Sequence, residues 1–166
     1  PAACGVLHVS TVVMDNGSED GSADMVSDLF PDVHLIAKKE NVGFARATNQ
    51  AAMHASGRYL LLLNPDTEAA PMSIAHMVSY ADAHPDVAAV GPKLINPDGT
   101  LQRSCWRGFP GLRMALVNAL YLWKLPGLPI SWASEYRPEE LQTTREVDQL
   151  LGACMLVRRD AWDTVG

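Results

Sequence analysis

The run Leu60-Leu61-Leu62-Leu63, stopped at once by Asn64-Pro65-Asp66-Thr67, constrains the fold more than any other stretch. Four consecutive apolar residues without alternation read as a strand buried on both faces, as in a sheet covered by helices on either side. A proline directly afterwards removes a ladder donor and fixes a turn. The stretch therefore predicts a central strand, with its leucines buried on both faces, that holds Asp66 rigidly at one edge of the sheet.

The chain length of 166 residues suffices for one domain with a real core, and 48% hydrophobic against 19% charged residues is an ordinary globular balance. A formal net charge of -6 argues against a nucleic-acid partner, which would want a basic surface. Three scattered cysteines with no CxxC spacing give neither a disulfide framework nor a zinc site, and they suit a reducing, cytoplasmic compartment. The histidines show no HxH or HExxH pattern and read as ordinary surface or core residues. No signal peptide is visible, and the apolar stretch MALVNALYLW falls well short of the ~20 residues of a membrane span.

Strand and helix patterns alternate along the first part of the chain. VSTVVM (Val9 to Met14) predicts a strand that breaks into the polar turn DNGSEDGS, after which Ser22 can cap a helix running to about Leu29. VHLIA predicts a second strand. ENVGFARATNQAAMHASG reads as a loop followed by an alanine-rich helix closed by Gly57. RYLLLL is a third strand, a helix follows Pro71 and ends before His84, and VAAVG is a fourth strand. This order predicts an α/β fold with a mainly parallel sheet and flanking helices. After Gly91 the rhythm becomes irregular. Two short strands are expected around Asn96-Pro97-Asp98-Gly99, a helix over RMALVNALYLWK, a proline-rich loop at LPGLPISW, and one or two strands in VDQLLGACMLV. One domain over 1–166 is expected, with 1–90 suited to a nucleotide-sugar site and 91–166 to the acceptor side.

Ligands of open parallel sheets sit outside the carboxyl ends of the strands. Two predicted strands end there in polar signatures, Asp15-Asn16-Gly17-Ser18 and Asn64-Pro65-Asp66-Thr67. A lone carboxylate on a rigid turn suits Mg²⁺ or Mn²⁺, which take few protein oxygens and fill their remaining positions with water and substrate phosphate. Asp66 can equally close a turn or cap the next helix. Asp15 can be a turn former or a ligand acceptor.

Five segments in order, VVMDNGSEDGS, ENVGFARATNQAA, GRYLLLLNPDT, VGPKLINPDGTLQRS and LLGACMLVRRDAWDTVG, resemble the family 2 inverting glycosyltransferases of the Rossmann-like GT-A fold. They are most similar to the rhamnosyltransferase-like branch that builds bacterial surface polysaccharides and cell wall. Each segment alone is a weak signal, but their order across nearly the whole chain is specific. The resemblance implies that Asp15 binds the donor nucleobase and that Asn41, Gly43, Arg46 and Asn49 line the nucleotide pocket. It places Asn64-Pro65-Asp66 at the family's DxD motif, with Asp66 holding Mg²⁺ or Mn²⁺ on the donor diphosphate. Asn64 stands where that motif has its first aspartate, which removes a negative charge and is expected to weaken metal affinity. Gly152 and Ala153 match a segment beside donor sugar and acceptor, and Arg107 is a candidate contact to an acceptor phosphate, against the plainer reading of a solvated loop arginine.

The implied reaction is sugar transfer, of rhamnose or a similar sugar, from a nucleoside-diphosphate donor to a glycan or lipid-linked acceptor, with inversion. The general base that the family places in an acidic pair after this segment is expected beyond Gly166, and the family's first strand is expected before the present start. Both expectations describe a fragment truncated at each end, with an incomplete sheet and no transferase activity of its own. A non-catalytic nucleotide-sugar-binding module is the alternative. A sugar nucleotidyltransferase would need a glycine-rich phosphate loop that is absent near the start. The apolar helix Met114 to Trp123 reads as a core helix, with a membrane-surface helix near a lipid-linked acceptor as the alternative, peripheral at the inner face of the cell membrane.

Overall fold

The computed structural model describes residues 7–102, 105–107, 111–121 and 143–165. In chain order the elements are β1 (Val12–Asp15), α1 (Ser22–Leu29), β2 (His34–Ala37), α2 (Phe44–Ala52), β3 (Tyr59–Leu63) and α3 (Ser73–Ala83), followed by β4 (Ala89–Val90), β5 (Trp106–Arg107), α4 (Leu112–Ala119), β6 (Gln149–Leu150), β7 (Cys154–Arg158) and α5 (Arg159–Val165). The alternating first half is as the sequence patterns require. The proline-rich loop expected at LPGLPISW and the end of the helix expected over RMALVNALYLWK lie outside the described residues.

β1 and β2 form a parallel pair in register from Val12 opposite His34 to Asp15 opposite Ala37, with α1 as the crossover. A second sheet has the order β3-β7-β4, and β5 pairs with β6 in a third. The bonds that bracket β3 and β7 are Arg159 N–H to the Arg58 carbonyl at 3.0 Å and Asn64 N–H to the Ala153 carbonyl at 2.9 Å. Residue numbers rise along one strand as they fall along the other, so this pair is antiparallel and the architecture is mixed α/β.

This order corrects the expectation for the leucine run. Among the described residues β7 takes the centre of its sheet and β3 lies at an edge, paired with β7 alone. Leu60 alone of the four is buried, at 6% exposure, while Leu63 at the turn is 43% exposed. Smaller differences have local causes. α1 begins at Ser22 behind Gly21, which takes the N-cap position with a left-handed φ of 82° that glycine adopts freely. Ser22 instead bonds back to the Asp20 carboxylate, which holds the Asp20 carboxyl below its usual range through the hydroxyl contact and then the amide. α2 stops at Ala52 rather than at Gly57, because turns at His54 and Ala55 and the Arg159 side chain take its last carbonyls. The two strands expected around Asn96-Pro97-Asp98-Gly99 reduce to one bridge, Ile95 opposite Leu101, around a turn with Gly99 at φ 82°.

The chain divides into two compact units that interleave in sequence: Pro1–Leu62, Val78–Ala88 and Leu156–Gly166 form the first, Leu63–Met77 and Ala89–Met155 the second. In the first, Ala47, Leu60, Ala81, Leu156 and Val157 are buried. Two adjacent arginines finish its helices. The Arg158 guanidinium donates to the carbonyls of Val87 at 2.7 Å, His84 at 3.0 Å and Ala81, and to the Tyr59 hydroxyl at 3.2 Å. Arg159 donates to the carbonyls of Ala52 at 3.2 Å, Gly57 at 3.4 Å and Ala55. Successive residues leaving a strand point to opposite sides, so one dipeptide serves the carboxyl ends of α3 and α2. In the second unit, Ala75, Met77, Cys105 and Cys154 are buried, and burial pushes both free thiols up from their usual value. The described side chains of α4 depart from the core-helix reading, since Leu112 is 80% and Leu116 51% exposed.

Candidate functional site

In the first unit, β1 delivers Asp15 and Asn16 to the turn where the sheet ends, and β2 runs beside it into the loop 38–43. Asp15 is held at both ends. Its carbonyl accepts from Lys38 N–H at 2.9 Å, and its Oδ2 accepts from Ser18 N–H at 3.2 Å. That second bond is an Asx turn, so the turn-forming role of Asp15 is realised. Its other carboxylate oxygen accepts nothing among the described residues and keeps its lone pairs for a ligand.

The neighbouring residue binds the two loops together. Asn16 Nδ2 donates to Asn41 Oδ1 at 2.9 Å, and Asn16 Oδ1 accepts from Val42 N–H at 2.9 Å. Asn41 Oδ1 also accepts from Gly43 N–H at 2.9 Å. Gly17 makes the approach possible: its φ is +85°, and a Cβ there would sit 3.0 Å from the Glu40 carbonyl carbon. Gly43 then caps α2 with φ 85° and ψ 156°, a conformation essentially restricted to glycine. Arg46 and Asn49 are exposed, three positions apart on α2, so they share a face. The structure thus brings Asp15, Asn41 and Gly43 to one loop cluster, with Arg46 and Asn49 on the helix that leaves it. Asn16 and Gly17 escape a reading of the sequence, because Asn-Gly signals a turn and says nothing of a cross-link to residues 41–43.

In the second unit, Asn64-Pro65-Asp66-Thr67 is a β-turn closed by Thr67 N–H on the Asn64 carbonyl at 3.1 Å, with Pro65 at the position that favours proline. The turn is fastened to the Gly152-Ala153 turn that precedes β7. The Ala153 carbonyl accepts from Asn64 N–H at 2.9 Å and, more weakly, from the Thr67 hydroxyl at 3.5 Å. Asn64, Gly152 and Ala153 therefore meet in one place, with Asp66 at the exposed tip. Among the described residues the Asp66 carboxylate accepts no hydrogen bond, and α3 begins only at Ser73, so it does not act as the helix cap. Arg107 pairs with Gln149 in β5 and β6, and its side chain lies outside the described atoms.

The fit to a metal is specific in one respect. Among the described residues no group of three or more His, Cys, Asp or Glu side chains converges on a common point. Among the described residues there is thus no dedicated protein cage. This suits the mode in which a hard divalent ion takes one protein carboxylate and completes its shell from phosphate and water. Asp66, exposed and uncommitted, is the donor that mode needs.

Comparison with known proteins places these features in a family. Residues 7–166 match Glycosyl transferase family 2. The chain is 31% identical over 170 residues to an N-acetylglucosaminyl-diphospho-decaprenol L-rhamnosyltransferase of Mycobacterium tuberculosis, covering 95% of this chain and 54% of that protein. It is 35% identical to the O-antigen biosynthesis protein RfbC of Myxococcus xanthus, covering 96% of this chain and 12% of that one. The chain thus spans about half the length of the mycobacterial relative. A mannosyltransferase from Pyrobaculum calidifontis, solved with GDP-Man and Mn²⁺, superposes with a TM-score of 0.47 at 30% identity, over 54% of this chain and 27% of that one. With its mixed α/β architecture and its match over nearly every residue, the chain belongs to glycosyl transferase family 2 and carries that family's GT-A fold.

Proposed function

We propose that the protein transfers a deoxyhexose such as rhamnose from a nucleoside-diphosphate donor to a glycan or lipid-linked acceptor, with inversion, in the synthesis of a surface polysaccharide. The observation that carries this is the Asp66 turn: a rigid β-turn, pinned to Ala153, that presents an uncommitted carboxylate at its tip. The names of the relatives support the sugar and the lipid-diphosphate acceptor.

Roles follow from the chemistry of the residues. Residues 1–90 serve the nucleotide sugar and 91–166 the acceptor. Asp15 accepts hydrogen bonds from the nucleobase with its free oxygen, and Asn41, Gly43, Arg46 and Asn49 surround the nucleotide. Asp66 holds Mg²⁺ or Mn²⁺, and Asn64 and Ala153 orient Asp66. A divalent ion bound there supplies charge neutralisation for the departing diphosphate. In the reaction the acceptor oxygen forms a bond to the anomeric carbon as the bond to the diphosphate oxygen breaks. The acceptor proton passes to a carboxylate base that is not assigned to any residue of this chain. Gly152 and Arg107 are the candidate residues for the acceptor side.

The described leucines of and beside α4, Leu112, Leu116 and Leu120, are spaced by one helical turn and are exposed. This supports peripheral contact with the inner face of the membrane, where a lipid-linked acceptor would lie. No helix among the described residues is long and apolar enough to cross a membrane.

The test is Asp66→Ala in the full-length protein, assayed with labelled nucleoside-diphosphate rhamnose and a Mg²⁺ or Mn²⁺ titration. Transfer is expected to fall by about 10²-fold or more with the fold retained, the scale set by losing one preorganised electrostatic element. Undiminished transfer by the variant, or by wild type in excess EDTA, would overturn the metal role.

A further inference from the structure

We infer that Asn16 is a positioning residue for nucleotide binding: its carboxamide locks the 41–43 loop in the conformation that the nucleotide meets. This rests on the proposed nucleotide-sugar function and names a residue that reading does not use.

The carboxamide is committed on both sides. Its nitrogen donates to Asn41 Oδ1 and its oxygen accepts from Val42 N–H, each at 2.9 Å. Asn41 Oδ1 takes a second bond, from Gly43 N–H at 2.9 Å. Two side-chain oxygens thus fix two consecutive backbone amides immediately before α2. A loop of this kind has no ladder of its own, so its conformation depends on such bonds. Gly17 supplies the same constraint sterically. A Cβ added there would sit 3.0 Å from the Glu40 carbonyl carbon, and the φ of +85° also favours glycine.

The arrangement separates the two asparagines chemically. Asn16→Ala removes both bonds. Asn16→Asp keeps the acceptor for Val42 N–H but sets a carboxylate against Asn41 Oδ1, replacing attraction with repulsion. Asn41→Asp preserves both bonds, since only Oδ1 takes part in them. The order of this loop should therefore survive Asn41→Asp but not Asn16→Asp, although both add one negative charge in the same loop cluster. A purely electrostatic effect on a diphosphate would leave amide protection the same in both.

The experiment measures binding of UDP, GDP and dTDP to the full-length protein by calorimetry, beside amide hydrogen exchange at Val42 and Gly43. In wild type, at least one nucleotide is expected to bind, and both amides should be protected. Asn16→Ala and Asn16→Asp should each raise the dissociation constant about tenfold, the effect of one or two ordinary hydrogen bonds. The Val42 amide should exchange faster, while KM for the donor rises more than kcat falls. Asn41→Asp should keep the Val42 and Gly43 amides protected as in wild type, and Gly17→Ala should reproduce the Asn16→Ala effect by a steric route. Wild type that binds no nucleotide would overturn the proposed function. Wild type that binds, with Asn16→Ala and Gly17→Ala binding equally well, would leave that function standing and overturn the positioning role. Equal losses of amide protection in Asn16→Asp and Asn41→Asp would overturn it as well. If Asn16→Ala does not fold, the contrast between the two aspartate variants decides.

Discussion

Arg158 should contribute more to stability than any exposed ion pair in the chain. Its guanidinium spends Nε, Nη1 and Nη2 on three carbonyls and one hydroxyl, and those carbonyls lie at or just past the carboxyl end of α3. A hydrogen bond from a charged donor contributes about 1.5–3 kcal/mol when its partner would otherwise be left bare. The side chain is half-buried, so water can reach some of these carbonyls in a variant, which sets the expectation nearer the lower bound. Arg158→Met, which keeps the apolar stem and deletes every donor, should cost about 2–4 kcal/mol. Arg158→Lys keeps the charge but not the planar fork and should recover about half of that loss. The assay is urea unfolding followed by far-UV circular dichroism, with the slope required to stay constant so that the midpoint reports stability. Arg58→Ala is the control: its contact with Asp82 is 2.9 Å long but 74% and 43% exposed on its two sides, and its loss should leave the midpoint within scatter. An Arg158→Met midpoint indistinguishable from wild type would refute the capping argument, because it would mean solvent satisfies those carbonyls as well as the guanidinium does.

Tyr59 gives a pH dependence with a definite sign. Burial, then the hydrogen bond and charge of Asp82, raise its hydroxyl above the usual value of 10.0. The folded state therefore keeps a proton that the unfolded state releases. This stabilisation is complete below the unfolded value and is lost as pH rises through the folded one. Urea midpoints of wild type should fall more steeply than those of Tyr59→Phe above about pH 10, and parallel slopes would contradict the shift. For α4, the full-length protein should float with anionic liposomes and Leu112→Ser/Leu116→Ser should float less, whereas absence of wild-type flotation would remove the membrane-surface role.

Local patterns carried the element list well because each depends on neighbours within a few residues. Pro65 after the leucine run marks the turn that presents Asp66, and the polar stretch DNGSEDGS marks the start of α1. Sheet order was not legible. A continuous run of leucines signals burial of a strand, but not which distant strand lies beside it, and β7 occupies the central place that Leu60 to Leu63 suggested for β3. The site divides in the same way. Asp15 and Asp66 stand out as carboxylates at predicted strand ends, while Asn41, Gly43 and Asn64 become candidates only through the family resemblance. Asn16 was not, since its partners are 25 and 26 positions away and only the folded loops bring them within reach. No local pattern singles out Arg158 and Arg159, and only the tertiary arrangement turns them into helix caps.

The central place of β7 also sets a timetable for the nascent chain. β3 and β4 flank it, and neither has its sheet partner until residues 154–158 have been made. The carbonyl of Ala52 waits for Arg159, 107 positions later, and that of Ala81 for Arg158, 77 positions later. At about 5–20 residues per second of synthesis, the first interval is on the order of 5–20 s. Throughout it β3 offers an open edge beside its leucines, the kind of surface that pairs with other chains. Molecules halted before Cys154 should therefore be the aggregation-prone species and the natural clients of ribosome-associated chaperones. Addition of one late strand pairs the facing edges of β3 and β4 in a single step.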